Sequence, residues 1–395
     1  MFFKETENRN AEQLKQDMIN TFSMYNGRTS PFYTEIDFCR SNKALEPCFK
    51  LSAEMLLNTK FSAKSIATEK GVIKQELVRK LNNPDAISYF TFLRAVSSKY
   101  NSNTVVLGSE EEIEQVSAKP LKKFKEETFI SQNFIITIEG GISYNKAKRL
   151  AEKYFISKLK SNPNYPVDKN ITNKIDREGN LNIENFPFNK SNCRLCIRLD
   201  KSLESMETDN LASMLCSVCN SLNGKLTSKL RDNGLVCSVN MWADCVPSNY
   251  TIGINFGCSS DNVNKVITKV GELFKELRTT PVEQTIIEKI KQNRKLSKDE
   301  RIRNIYPSSL FREYLCYGDI ILSRKYKKES KKFYEQITPE QLQTFCQKVF
   351  SSPENVYAAI LTDSTPDKFY SYEEIQKILT SAPQKSNRRK QKNSK

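Results

Sequence analysis

The chain has 395 residues, of which 38% are hydrophobic, and a formal net charge of +16. This length favours two domains, and no apolar run approaches the roughly 20 residues of a membrane-spanning helix, which argues against a membrane protein. The sequence contains no histidine. Histidine is the commonest metal ligand and the usual acid or base near neutral pH, so these residues alone cannot build an imidazole-based mechanism.

Two further features concern the cellular setting. Eleven cysteines are scattered along the chain, and Met1–Lys4 runs into polar residues without a secretory or transit signal. This pattern predicts free thiols in a reducing compartment. The positive charge is diffuse except at Gln384–Lys395, which holds six Lys or Arg and no acid. We therefore predict a solvated basic tail over 381–395. Polyanion binding stays open as a weaker alternative, and nucleic acid is not the favoured partner.

Helix and strand patterns alternate along the first half. Asn10–Phe22 has apolar positions at helical spacing after an asparagine that can cap the helix. The same period predicts helices at Leu45–Leu57, Ala63–Leu81, Glu110–Val116 and Tyr144–Phe155. Strands are predicted at Thr29–Phe38 and at Phe134–Glu139, the second closed by two glycines.

The pattern restarts after a segment rich in Asn, Pro, Asp and Lys, which predicts a linker over 163–188. Strands are predicted at Arg194–Leu199, Cys237–Trp242, Tyr250–Phe256 and Val356–Leu361. Helices are predicted at Asp209–Leu222, Asp261–Leu277, Val282–Lys298, Ser308–Tyr317 and Pro339–Phe350. The similar order of both halves indicates an internal duplication, with domains over 1–162 and 189–380.

Four cysteines have the spacing of a zinc ribbon, namely Cys193, Cys196, Cys216 and Cys219. However, Cys193 and Cys196 lie in a predicted strand, where positions three apart face opposite sides of the sheet. Cys216 and Cys219 lie in a predicted helix, where a free cysteine packs as a small apolar residue. We therefore favour core packing over a zinc site.

Four segments resemble the pitrilysin/insulinase family of zinc peptidases, and in particular mitochondrial processing peptidase. Met1–Thr29 (MFFKETENRNAEQLKQDMINTFSMYNGRT) is similar to the segment that follows the family's His-x-x-Glu-His motif. Glu69–Arg79 (EKGVIKQELVR) resembles its second signature, with two glutamates seven residues apart. Leu107–Phe155 matches the following strand-Gly-helix block, and Gly224–Val239 (GKLTSKLRDNGLVCSV) resembles a segment of the second domain.

The resemblance implies an α+β fold of the LuxS/metallopeptidase-like type, with two homologous domains that are each an antiparallel sheet flanked by helices. It also implies that the zinc motif would end just before Met1, so we expect the first domain to be truncated at its N-terminus. Either the gene start is assigned too late or the chain is a degenerate, non-catalytic homologue. Glu76 matches the third zinc ligand and Glu69 its supporting carboxylate. Without the resemblance, both would be interpreted as a solvated helix face.

The resemblance also implies residues that bind substrate. The family binds an extended peptide along an edge strand bearing Asn-x-x-Thr, here Asn26 and Thr29, although Asn26-Gly27 alone equally indicates a turn. Arg231 matches an arginine that holds substrate together with a tyrosine seven residues later. Here the spacing is one residue shorter and the residue is Cys237, so Arg231 is also consistent with an ordinary surface arginine.

The sequence thus predicts a processing-peptidase-like metallopeptidase homologue that is inactive by itself. Zinc is the cofactor in the family, but we expect none to bind to this chain alone. The alternative is a scaffold or substrate-binding subunit that pairs with an active homologue. The implied partners are a homologous half and an extended peptide substrate, and the implied location is a mitochondrion or a related organelle, or otherwise the cytoplasm.

Overall fold

The computed structural model describes residues 1–29, 33–41, 45–97, 106–165, 178–187, 189–221, 224–246, 249–301, 320–351 and 355–380. These residues form two compact units. The first contains the described residues of Met1–Asn83, Asn101–Thr172 and Glu300–Arg324, and the second those of Pro84–Tyr100, Asn173–Asp299 and Lys325–Lys395. The predicted helix Ser308–Tyr317, the basic tail and half of the predicted linker lie outside the described residues.

The described helices and strands follow one another along the chain. The helices are α1 (Ala11–Thr21), α2 (Leu45–Leu57), α3 (Ala63–Leu81), α4 (Pro84–Val96), α5 (Glu110–Gln115), α6 (Ala118–Thr128), α7 (Tyr144–Ala151), α8 (Met206–Asn220), α9 (Val263–Thr279), α10 (Gln284–Arg301), α11 (Ile320–Gln336), α12 (Pro339–Val349) and α13 (Tyr372–Thr380). The strands are β1 (Met24–Thr29), β2 (Thr34–Cys39), β3 (Asn180–Asn185), β4 (Ser191–Arg198), β5 (Ser238–Val246), β6 (Asn249–Cys258) and β7 (Val356–Thr362). None of the helices in the described ranges is both long and apolar enough to cross a membrane.

Side-chain caps fix the starts of several helices. The Asn10 side chain accepts a hydrogen bond from the Gln13 amide, and the Gln13 side chain accepts one from the Asn10 amide, so the predicted cap of α1 is confirmed. Ser109 and Glu112 form the same reciprocal pair at the start of α5. These caps satisfy amides that have no partner inside the helix.

The first unit contains a two-stranded sheet. The prediction of one strand over Thr29–Phe38 is wrong, because β1 and β2 are separate antiparallel strands, with Met24 opposite Cys39 and Thr29 opposite Thr34. The sequence between them includes Pro31, which has no amide hydrogen to donate to a ladder and so favours a break between strands.

The second strand predicted in the first half, Phe134–Glu139, is also wrong. In the structure this segment follows a short 3-10 turn and forms no strand with the described residues, although Ile136 and Ile138 pack against the core of α2 and α7. A strand also needs a neighbour for its backbone groups, and β1 and β2 pair with each other.

The second unit is built on a five-stranded sheet in the order β3-β7-β4-β6-β5. The four strands predicted for this half are all present, and the α+β class is confirmed. Three of its four strand pairings are antiparallel, as expected, whereas β3 and β7 run parallel. β3 lies within the segment predicted as a linker. Leu181 and Ile183 are its only apolar residues, and both pack against the core.

Both faces of this sheet are buried. On one face, alternate residues of β4, β6 and β7 pack against α8, α9, α12 and α13 in one large core. On the other face, Phe92, Leu93 and Val96 of α4 cover Cys196 and Tyr357. Helix α4 thus precedes the linker in sequence but belongs to the compact unit of the second half.

Polar contacts position α4 on the sheet. Arg94 forms an ion pair with Glu184 of β3, with the guanidinium Nε 2.6 Å from the carboxylate. Thr91 donates to the same carboxylate at 2.8 Å, and Asn182 donates to the Thr91 carbonyl at 3.0 Å. At the other end of α4, the Arg194 guanidinium lies over the Tyr89 ring at 5.3 Å.

Replacing Glu184 with Gln should lower the free energy of unfolding by about 1–3 kcal/mol at pH 7, since partly buried Arg94 loses its counter-charge. Burial alone would raise the pKa of Glu184, but hydrogen bonds from Arg94, Thr91 and Asn182 hold that pKa below its usual value. A carboxylate with a depressed folded-state pKa stabilises the fold above its unfolded pKa, and this contribution disappears as pH falls through the folded pKa.

Denaturant unfolding at pH 7 and at lower pH measures the effect, and the difference between wild type and Glu184→Gln should shrink on acidification. Glu272→Gln is the matched control, because Glu272 pairs with Lys269 at 2.8 Å on the exposed side of α9. If both variants lose equal stability, the Arg94–Glu184 pair does not hold α4 in place.

Candidate functional site

Helix α3 carries both glutamates of the predicted metal site. The residue that caps its start is Ser62, whose side chain accepts a hydrogen bond from the Ser65 amide at 3.2 Å. Glu69 and Glu76 are seven residues apart and therefore lie on one face of the helix. Of its 19 residues, only Ser65, Ile66 and Leu77 are buried. Helix α3 therefore has a wide exposed face.

Glu69 has an ionic partner that the sequence did not indicate. Its carboxylate lies 2.5 Å from Nζ of Lys4, and the Glu69 side chain is 18% exposed. The lysine belongs to the segment before α1, far from Glu69 in sequence. Within the described residues, Glu69 thus serves as the counter-charge of Lys4.

Glu76 is exposed, and its carboxylate has no hydrogen bond or ion pair with any described residue. It lines an open cavity of about 450 Å³ on α3, together with Thr68, Gly71, Val72, Gln75 and Arg79. A Cβ added at Gly71 would meet nothing within 4 Å. A glycine inside a helix costs about 1 kcal/mol relative to alanine. No packing contact within the described residues requires a glycine at position 71. The absence of a side chain at Gly71 leaves space in which another group could approach the helix backbone closely.

These residues do not fit a zinc ion by themselves. A zinc site normally has at least three protein ligands from His, Cys, Asp or Glu. The sequence has no histidine, and the described residues contain no group of three such side chains. Glu76 could supply one carboxylate, and the other ligands would have to come from outside the described residues.

The four cysteines with zinc-ribbon spacing, Cys193, Cys196, Cys216 and Cys219, do not form an alternative metal site. Cys193 packs in the main core of the second unit, while Cys196 packs on the opposite face under α4, so the prediction that they face opposite sides is confirmed. Cys219 is fully buried in α8. Burial raises the pKa of the Cys216 and Cys346 thiols to about 12. Metal binding requires the thiolate, which burial disfavours here.

Strand β1 carries Asn26 and Thr29, and all six of its residues are exposed. Asn26 lies inside the strand, so the interpretation of Asn26-Gly27 as a turn is wrong. β1 pairs with β2 on one side, and its other edge has no partner strand in the described part of the chain. Such an edge presents free backbone donors and acceptors to an extended peptide.

One face of this hairpin is polar. Asn26 lies opposite Asp37 and Arg28 opposite Glu35, and the Arg28 guanidinium is 2.8 Å from the Glu35 carboxylate. Burial raises the pKa of Asp37, while burial and the neighbouring Asp37 charge raise that of Glu35. The Asn26 side chain accepts from the Gly27 amide at 2.9 Å. Its amide nitrogen is therefore available to a ligand.

Arg231 belongs to the second unit, unlike the other four predicted residues. It ends a π-helical turn, Thr227–Arg231, and its exposed side chain has no partner in the described ranges. The Cys237 thiol donates to the Gly257 carbonyl at 3.1 Å. None of the described residues forms a hydrogen bond or ion pair that would hold the Arg231 side chain in position for a ligand.

Exposed apolar side chains concentrate in the first unit. All the large hydrophobic residues exposed in the described ranges, except Tyr89, belong to it. They are Ile19, Met24, Tyr25, Val72, Val78, Leu81, Val106, Val116, Phe124, Ile135, Tyr144 and Ile156. Val72 lies one turn before Glu76 on the same side of α3, and Met24 and Tyr25 begin the open strand β1. The predicted peptide and metal residues of the first unit therefore lie on surfaces that expose apolar groups. In the sequence, these exposed residues could be recognised only as apolar positions that do not belong to the buried face predicted by the helical period.

Comparison with known proteins supports the resemblance seen in the sequence. The family described as "Peptidase M16 inactive domain" matches residues 115–294. An uncharacterized zinc protease of Rickettsia bellii is 28% identical over 161 residues, which are 40% of this chain and 38% of that protein. The match therefore spans well under half of that relative.

Two further proteins match most of the chain. The mitochondrial-processing peptidase subunit beta of Caenorhabditis elegans is 22% identical over 380 residues, 89% of this chain and 77% of that one. The crystal structure of a protease from Helicobacter pylori has the same fold, with a TM-score of 0.74, 17% identity, and coverage of 91% of this chain and 86% of that one. The resemblance to zinc peptidases of this type is confirmed.

The donor set predicts that the purified chain holds no stoichiometric zinc, because one surface carboxylate is too few ligands. Metal analysis after dialysis tests this, with Glu76→Gln as the matched variant. Glu76→Gln should leave both the metal content and, within about 0.5 kcal/mol, the stability unchanged, since exposed Glu76 has no described partner. One tightly held zinc per chain, lost in Glu76→Gln, would show that Glu76 already has ligand partners here.

Proposed function

We propose, from its relationship to the M16 peptidases, that this chain is a non-catalytic half that binds extended peptides and pairs with a homologous half or subunit. The observation that carries the proposal is the concentration of exposed apolar side chains on the first unit. Single-chain proteins rarely leave large apolar patches in water, and such patches mark interaction sites. The absence of histidine explains why catalysis would depend on the partner.

Peptide binding is assigned to the outer edge of β1. An extended peptide would add a third strand there through backbone hydrogen bonds, which are independent of sequence. The side chains of Asn26 and Thr29 are exposed beside this edge and would add specific hydrogen bonds. Met24 and Tyr25, 46% and 41% exposed, would supply apolar contact.

A second candidate function is supported by the geometry of α3. Glu76 is exposed, lines an open cavity and has no described partner. If a further polypeptide segment supplies imidazoles, Glu76 would act as one ligand of a zinc site and the completed protein would be a metallopeptidase. In that case Glu69 would turn from a counter-charge of Lys4 into a supporting carboxylate.

The relatives also suggest a location. Mitochondrial-processing peptidase beta subunits are among them, as are zinc proteases of bacteria. We propose a mitochondrion or a related organelle as the location of this chain. Fluorescence microscopy of the tagged full-length protein would test this assignment.

Peptide binding can be tested with a fluorescently labelled, unstructured 12-residue peptide of alternating apolar and polar residues. The double variant Asn26→Ala/Thr29→Ala should weaken binding by about 5- to 150-fold, since each of the two lost hydrogen bonds contributes about 0.5–1.5 kcal/mol. Asn20→Ala, at an exposed position of α1, is the control and should bind normally. Fluorescence anisotropy measures the affinity. Equal affinity of the double variant and the control would remove Asn26 and Thr29 from the binding site.

One substitution separates the two candidate functions. In a mixed complex with a homologous half that carries the zinc motif, Glu76→Gln in this chain should leave peptide cleavage unchanged, because the metal lies in the other half. If instead an added segment completes a site on this chain, Glu76→Gln should abolish zinc binding and cleavage, since one of three protein ligands is lost. Zinc content and cleavage rate of the complex are the two readouts.

A further inference from the structure

Helix α7 and the residues that continue it carry a high positive charge. Residues 144–160 contain six Lys or Arg and one acid, Glu152, so their net charge is +5, against +16 for the whole chain. The helix continues past Ala151 as a π-helical turn over Glu152–Ile156, in which the Ser157 amide donates to the Glu152 carbonyl at 3.0 Å. Nearly a third of the net charge of the chain therefore belongs to one short helical segment.

The fold separates the apolar and the basic residues of this segment. Leu150, Ala151, Tyr154 and Phe155 pack against α2 in the core of the first unit. All six cations are exposed, namely Lys146, Lys148, Arg149, Lys153, Lys158 and Lys160. The side of the helix that faces away from the core is therefore a basic surface.

Some of these cations have counter-charges, and others do not. Lys153 lies 2.6 Å from the carboxylate of Glu46, and Lys148 lies 3.8 Å from that of Glu152. The remaining four form no ion pair with any described residue, namely Lys146, Arg149, Lys158 and Lys160. The surface thus keeps uncompensated positive charge that an external anion can neutralise.

Two large apolar side chains lie at the ends of the same helix. Tyr144, its first residue, is 77% exposed, and Ile156, the last residue of the π-helical turn, is 52% exposed. Twelve residues separate them, which corresponds to about 18 Å along a helix axis. Cations between exposed apolar side chains are typical of a helix that lies flat in the interface of an anionic membrane.

We propose that the exposed side of this helix, formed by Tyr144, Lys146, Lys148, Arg149 and Ile156 and called the basic face, binds the surface of a membrane that contains anionic phospholipids. The cations contact the headgroup phosphates, while their apolar stems lie along the upper part of the acyl chains. Tyrosine is enriched at such interfaces, because its ring is apolar and its hydroxyl is polar.

Ile156 favours a lipid surface over a nucleic acid as the partner. Proteins that bind single strands stack the bases on aromatic side chains, and an isoleucine offers no such platform. The apolar end of a helix next to a bilayer instead reaches the acyl boundary. Binding is peripheral and reversible, and salt weakens it because exposed charges are screened.

Cosedimentation of the full chain with lipid vesicles tests the proposal. The chain should bind vesicles of phosphatidylcholine with about 30% phosphatidylserine and should not bind pure phosphatidylcholine. Lys146→Gln/Arg149→Gln should weaken binding about 30-fold, since each cation near an anionic surface contributes about fivefold. Lys265→Gln/Lys275→Gln changes the net charge equally at exposed positions of α9 and should bind normally.

A second variant tests the apolar contribution. Tyr144→Ser/Ile156→Ser should weaken vesicle binding at low and at high salt, because burial of apolar area is not screened. Both side chains are exposed, so the fold should be retained. Equal weakening by the α9 control, unchanged binding of Tyr144→Ser/Ile156→Ser, or tighter binding to a single-stranded oligonucleotide than to the anionic vesicles would each overturn the proposal.

Discussion

The need to bury both faces of the five-stranded sheet organises the second unit. One face is covered by α8, α9, α12 and α13, and the other by α4, which comes from the first half of the sequence. The chain thus leaves the first unit at the end of α3 and returns to it after α4. The ion pair of Arg94 and Glu184 fixes α4 against β3 at the sheet edge. A sheet buried on both faces needs near-continuous apolar strands, and β7 is buried at all seven positions.

The first unit leaves its sheet more exposed than the second unit does. Its sheet has two strands, and β1 lies in solvent along its full length. Helix α3 is held by ion pairs of Lys70 and Lys74 with α5, while its opposite face exposes Val72. Open strand edges and exposed apolar helix faces favour association with another polypeptide. The physical basis of the proposed pairing is therefore this contrast between a covered and an uncovered unit.

Strong local patterns made much of the fold predictable. The apolar runs of β4, β6 and β7 and the helical period of α9 and α12 gave their type and nearly their bounds. Strand pairing depends on more distant parts of the chain. Phe134–Glu139 is a similar apolar run but pairs with no described strand, and β3 has too few apolar residues to be distinguished from a linker. The family resemblance implied the α+β class, whereas the parallel pairing of β3 with β7 joins segments more than 170 residues apart.

In the candidate site, too, some features could be predicted from local sequence and others depend on tertiary contacts. The spacing of Glu69 and Glu76 correctly placed both on one face of a helix. Sequence could not show that Lys4 neutralises Glu69, because that contact joins residues 65 positions apart. The spacing of residues along the chain predicts which face of a helix or strand they share. Which charged groups pair with one another depends on contacts between elements that are distant in sequence.

Hydrogen exchange of the full chain, alone and mixed with a homologous half, tests the central claim that the first unit is an uncovered partner surface. Amides of β4, β6 and β7 should be strongly protected in both samples, because their sheet is buried on both faces. Amides of β1 and α3 should exchange faster in the chain alone and should slow markedly in the mixture. The account would be contradicted if β1 and α3 were as protected as β7 in the isolated chain, or if the homologous half left their exchange unchanged.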